Sequence, residues 1–317
     1  MNQCLLFILI ITSSVSCGNR NAPHLSPIAK NYIDEVLILL QQNSVNKNTI
    51  NWDDFRNDIY SHAKNAKTIA DTYPTISYAI TKLGDHHSYF VANEVTSDTS
   101  DLKPLPILQD EVVPKDIGYI RIGFCMGDEE QVNQYIHSVT EKITQQDHAN
   151  IKGWIVDLRG NFGGNMWPML VAIGPILGEG ILGYFYYPNG TSTAWSYKDG
   201  QAFDENGTWS QSKNPYQIIA KNPYVAVLTD NETASSGEAV TIAFKGRKNT
   251  KSFGAPTFGV STGNRSHTLS DGSRINLTES VFADRNKTKY GSSVVPDVQC
   301  PENETLIQAI NWLYSQH

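Results

Sequence analysis

The sequence predicts an α/β protein with a helical N-terminal unit. Two observations carry this. Before Gly84, apolar residues recur at helical spacing; after it, short apolar strands alternate with helices. A third narrows the choice: no period of about 20–50 residues repeats, which excludes solenoids and propellers.

The elements follow in order. Ser26 can cap a helix and Pro27 suits its first turn, and Ile28, Tyr32, Val36 and Leu40 form its apolar stripe. A second helix carries Trp52, Phe55, Ile59 and Ala63. A third starts near Thr72–Pro74, buries Ile76, Ala79, Ile80 and Leu83, and stops at Gly84. These define a helical cap over 26–85, and 86–317 form the core. Ile117–Phe124 alternates as a strand does. Residues 128–147 form an amphipathic helix on Val132, Ile136, Val139 and Ile143. Trp154–Leu158 is a buried strand entering a Gly-rich turn, and Asn165–Leu177 is a buried helix. Tyr224–Leu228 is another buried strand, followed by Thr233–Glu238 and a helix to Lys245. Asp271-Gly272 marks a hairpin turn. Leu306, Ile307, Ile310 and Leu313 give a closing helix. Residues 178–221, rich in Gly, Tyr, Asn and Ser, read as an insertion, open to β structure, of the kind that forms a site wall or lid.

Composition sets the class. Of 317 residues, 40% are apolar and 18% charged, enough for a sizeable core. A net charge of −7, with no long basic run, gives no basis for nucleic-acid binding. No apolar stretch reaches the roughly 20 residues of a membrane span. The first 17 residues read as an export signal: the apolar run Leu5–Ile11, then small residues ending at Cys17. A small residue before Cys17 resembles a bacterial lipobox, in which the Cys is lipidated. Membrane contact would then be through that lipid alone. Residues 18–25 are a polar tether. Cys125 and Cys300 could pair in an oxidising compartment or stay as separate thiols.

Three strings combine reactive residue types: Gly84-Asp-His-His-Ser88, Asp157-Leu-Arg-Gly-Asn-Phe-Gly-Gly-Asn165 and Thr233-Ala-Ser-Ser-Gly-Glu238. A Ser on a strand-to-helix turn sits beside backbone N–H donors that can hold an oxyanion, and it needs a base such as His. The bland readings are a surface His pair, a connector turn, and a helix cap in which Glu238 completes a capping box on Ser235. No G-x-S-x-G elbow is present, and no H-E-x-x-H or paired Cys suggests a metal.

Together and in this order, these strings resemble the C-terminal processing (tail-specific) serine peptidases. Phe253-Gly-Ala-Pro-Thr-Phe-Gly259 and Val295-Pro-Asp297 also fit, so the resemblance spans about 26–315. It implies a ClpP/crotonase-like superhelical core, a peptide or protein substrate and no cofactor. By position the nucleophile is Ser235, with Gly163, Gly164 and Ser236 supplying oxyanion N–H groups. The tail-specific branch has its Lys base 25 residues beyond the Ser, where this chain has Val260. The branch typified by the tricorn core and nisin-resistance proteins uses a His, here His87, with His86 in the variable slot. Asp85 and Glu238 are candidates to orient His87, although capping roles account for both. Asp157 and Arg159 are read as holding the turn. Between 91 and 116 there is too little chain for a PDZ domain. Rival readings are a silent ligand-binding member of the family and a Ser–His esterase.

Overall fold

The computed structural model describes residues 25–93 and 108–317, so the signal and Cys17 lie outside the described residues. Helix α1 (Pro27–Asn43) is capped by Ser26, whose hydroxyl accepts from the Ala29 N–H. Its buried face is Ala29, Tyr32, Ile33, Val36, Leu37 and Leu40, while Ile28 is 55% exposed. The expected stripe is corrected there. Residues four apart drift by about 40° per step, so a row of such steps cannot stay on one face. Asn51 caps α2 (Trp52–His62), and a 3-10 turn at Ala70–Thr72 leads into α3 (Tyr73–Lys82). Gly84, at φ 71°, turns the chain out of the helix.

The chain continues through β1 (Tyr89–Val91), β2 (Ile117–Arg121), α4 (Glu129–Gln146), β3 (Gly153–Asp157) and α5 (Met166–Leu177). Next come β4 (Gly180–Tyr186), β5 (Ser192–Lys198), β6 (Gln201–Asp204) and β7 (Gly207–Gln211). Strand β8 (Val225–Thr229) precedes α6 (Ser236–Phe244) and β9 (Thr250–Gly254). The hairpin β10 (Thr262–Thr268) and β11 (Arg274–Asp284), short β12 (Val298–Gln299) and α7 (Glu302–Tyr314) complete it.

One sheet is parallel, in the order β12-β9-β8-β3-β2. Both its faces are covered, which is why β3 and β8 are continuous apolar runs. Helices α4, α5 and α6 cover one face and α7 the other. Strand β2 is buried on both faces and ends at Arg121, so the expected alternation to Phe124 is not followed. On α7, Ile307 is 51% exposed, contrary to expectation. It lies about 200° around the helix from the buried Thr305.

The second sheet is antiparallel, β1-β11-β4-β5-β6-β7, with β10 on β11. Residues 178–221 supply β4 to β7 and bury Leu182, Trp195, Tyr197 and Ala202 in the main core. They build the fold rather than roof the cavity described below, which none of them lines. The helical cap likewise shares its core: Leu269, Ile275 and Leu277 of the hairpin pack among Tyr32, Val36, Ile59 and Ile80. Tyr32 and Tyr73 each donate to the Asp271 carboxylate at the hairpin turn, both at 2.7 Å.

Candidate active site

Parallel strands β3 and β8 end side by side, and the two turns that leave them face each other there. Asp157, fully buried at the end of β3, accepts from Tyr119 Oη (2.7 Å), Arg159 Nη2 (2.6 Å) and Arg121 Nη2 (2.9 Å). Arg159 continues to Glu111 at 2.9 Å. This paired carboxylate fixes where the Gly-rich turn starts. The Gly160 N–H donates to Asp230 after β8, tying the two turns together.

Asn161 is the centre of the turn. Its Nδ2 donates to the carbonyls of Ile122 (2.9 Å) and Gly123 (3.2 Å), its Oδ1 accepts from the Gly163 N–H (3.0 Å), and its carbonyl accepts from Ala234 N (2.8 Å). The expectation that Gly163 offers its N–H to an oxyanion is therefore corrected: that donor is already bound. Among the described residues, the Gly164 and Ser236 N–H groups have no protein acceptor. Gly164 must be glycine, because φ is 106° and a Cβ would lie 2.1 Å from the Cys125 carbonyl oxygen.

Ser235 precedes α6 with φ 52° and ψ −112°, a strained conformation for a residue with a side chain. Its N–H donates to Glu238 Oε2 at 2.9 Å. The Ser236 hydroxyl instead donates to the Gly164 carbonyl at 2.6 Å. Glu238 is fully buried and also accepts from Thr257 Oγ1 (2.6 Å), Gly259 N (3.0 Å) and Val260 N (2.9 Å). Burial pushes its pKa up, and these donors pull it back. It pins the 257–260 loop to the Ser235 turn and does not reach His87.

His87 follows the Gly84 turn. Asp85 accepts from the backbone N–H groups of His87 (2.9 Å) and Ser88 (2.7 Å) and from Ser88 Oγ (2.8 Å). It caps the turn and leaves the imidazole alone, so neither Asp85 nor Glu238 orients the ring. The ring Nδ1 lies 2.7 Å from Thr262 Oγ1, and the His87 carbonyl accepts from Asn264 Nδ2 at 3.1 Å. Burial lowers the His87 pKa, the Asp85 charge acting against it, which favours the neutral ring. No hydrogen bond joins His87 to Ser235, but both line one cavity of about 640 Å³ with His86, Phe162, Phe258 and Val260.

Val260 is buried and lines this cavity with an apolar side chain. Lys245 is bound elsewhere, to Asp297 (2.9 Å) and Ser252 (2.8 Å). Cys125 and Cys300 are both free thiols, and burial pushes the Cys125 pKa up to about 11. Among the described residues, no three His, Cys, Asp or Glu side chains converge as metal ligands do, and no helix is long and apolar enough to cross a membrane. The sequence reading missed Asn161 and Thr262. Asn161 was visible inside the Asp157–Asn165 string, but its Nδ2 bonds run to carbonyls 39 and 38 positions away. Thr262 stands in a polar strand that nothing marks.

A cavity of this kind suits acyl transfer, in which a hydroxyl attacks a carbonyl and N–H donors hold the charged oxygen. Comparison with known proteins narrows that class. The model of peptidase family S41 matches residues 116–300, more than half of the chain, and the chain belongs to that family. It is similar to the nisin-resistance protein of Lactococcus lactis subsp. lactis, 28% identical over 294 residues, 92% of this chain and 88% of that protein. Its structure is similar to that of a lipoprotein from Streptococcus agalactiae, with a TM-score of 0.74 and 25% identity, covering 94% of this chain and 100% of that one. The photosystem II D1 C-terminal processing protease shares the fold: TM-score 0.59, 16% identity, 88% of this chain and 96% of that one. The mixed α/β fold read from the sequence agrees with these neighbours.

Proposed function

We propose that this S41 peptidase is an exported serine endopeptidase that works through Ser235 and His87. The observation that carries the reading is the shared cavity: Ser235 on its strained turn and a half-buried His87, whose burial favours the neutral ring, line it together, and the alternative base position holds Val260. His87 Nε2 takes the Ser235 proton as Oγ attacks a peptide carbonyl. The Gly164 and Ser236 N–H groups hold the oxyanion. The imidazolium then protonates the leaving amine, and water, activated by the same His, releases the acyl group. Peptides or proteins are the substrates, and the reaction needs no cofactor. The similarity to a lipoprotein and to a nisin-resistance protein supports a cell-envelope location, with Cys17 as the lipidated N-terminus.

A fluorophosphonate probe with peptide mass spectrometry tests the nucleophile. Label on Ser235, lost in Ser235→Ala, is the expected result. An unlabelled wild-type protein would favour the silent ligand-binding reading. Digestion of a peptide library, with His87→Ala as control, separates a peptidase from an esterase. Intact-mass analysis of the exported protein reads the Cys17 assignment: a mature start elsewhere, without acyl mass, removes it.

A further inference from the structure

We propose that Thr262 is the positioning residue for His87, holding the ring in the tautomer that leaves Nε2 free to accept the Ser235 proton. The inference rests on the Ser–His reading above and adds the third group, which neither Asp85 nor Glu238 supplies.

The geometry is specific. Thr262 opens β10, is 7% exposed, and places Oγ1 at 2.7 Å from His87 Nδ1. A hydroxyl can accept or donate there. Its proton has a second destination, the Val260 carbonyl at 3.5 Å, which frees a lone pair to accept from Nδ1–H. The chemistry asks for the same direction. Once His87 has taken the Ser235 proton, both ring nitrogens carry hydrogens, and the group at Nδ1 must be an acceptor. A ring already protonated at Nδ1 reaches that state without turning over. Strand β10 also grips the residue a second time, since Asn264 Nδ2 holds the His87 carbonyl.

The link continues to the nucleophile. The Thr262 N–H donates to the Val260 carbonyl at 2.7 Å, the Val260 N–H donates to Glu238, and Glu238 accepts from the Ser235 N–H. Thr262, Val260 and Glu238 thus link base and nucleophile through three residues.

The test begins with the wild-type protein labelled with 15N-histidine. The His87 signals are assigned by their loss in His87→Asn, and long-range 1H–15N correlations report which nitrogen is protonated. A proton on Nδ1 in the neutral ring is expected; a proton on Nε2 overturns the proposal. This measurement decides even if a variant fails to fold. Thr262→Val removes the acceptor at nearly constant volume. It should lower kcat about 100-fold with KM nearly unchanged, as misplaced catalytic groups do. Thr262→Ser should restore most of that turnover and the wild-type tautomer. A folded Thr262→Val with wild-type kcat overturns the proposal. Full turnover in His87→Ala would instead remove the underlying Ser–His reading, a result distinct from either outcome at Thr262.

Discussion

Replacing Asn161 by Asp changes one atom in the centre of the Gly-rich turn, and its cost should depend on pH. Asn161 is fully buried. Its Oδ1 accepts from Gly163 N–H while its Nδ2 donates to two carbonyls. An ionised Asp would set a charged oxygen against those carbonyls at 2.9 and 3.2 Å, so the fold keeps the residue protonated. The acid can still donate to one carbonyl. The lost second bond costs about 1 kcal/mol. In the unfolded chain the same Asp ionises near pH 3.9, and each further unit favours the unfolded state by about 1.4 kcal/mol while the folded acid stays neutral. The folded pKa lies above the unfolded one, so stability falls as pH rises. The total loss is about 2 kcal/mol at pH 4.5 and about 5 kcal/mol at pH 7. Urea unfolding of wild type and variant at both pH values measures it. An equal loss at the two pH values, or none, would refute the assignment of Asn161 as a buried donor to two carbonyls.

Three further outcomes are expected. Because burial lowers the His87 pKa, kcat/KM should fall on acidification with a midpoint below pH 6.5; a midpoint near 8 in a pH–rate profile would point to another base. Ser236→Ala loses only the bond to the Gly164 carbonyl, worth about 1 kcal/mol, and should keep activity within about 10-fold, whereas Ser235→Ala should abolish it in a peptide-cleavage assay. Gly164→Ala combines a positive φ with a Cβ 2.1 Å from a backbone oxygen, so its urea midpoint should drop by the equivalent of about 3 kcal/mol or more; an unchanged midpoint would mean that the turn has room to move.

Local rules made most of the fold legible. Ser26-Pro27, Gly84 and the Asp271-Gly272 turn fix element boundaries through bonds a few residues long, and the structure follows them. Ile28 and Ile307 went astray because an apolar side chain near a helix stripe need not lie on it; facing is decided by what packs opposite. The 178–221 segment pairs its own strands as a meander and joins the larger sheet through β11, so it builds the core where a site wall or lid was expected. At the site, motif order located Ser235 and His87 within one cavity. The Gly163 N–H turning back to Asn161 is a local Asx bond that the string permits but does not announce, whereas nothing local says that Thr262, 175 positions away, meets the His87 ring.

The hairpin that completes the helical cap also sets a clock on assembly. A chain growing from its N-terminus makes the cap helices first. Their core stays open until Leu269, Ile275 and Leu277 arrive, and Tyr32 waits 239 positions for its partner Asp271. Contacts closing such long loops form late. A chain cut before Thr262 therefore contains the Ser and the His but lacks the strand that grips the His, and it should hydrolyse nothing. On the Ser–His reading, activity begins only when nearly the whole chain has been made and folded, so the last hairpin is the step that turns the cavity into a working site.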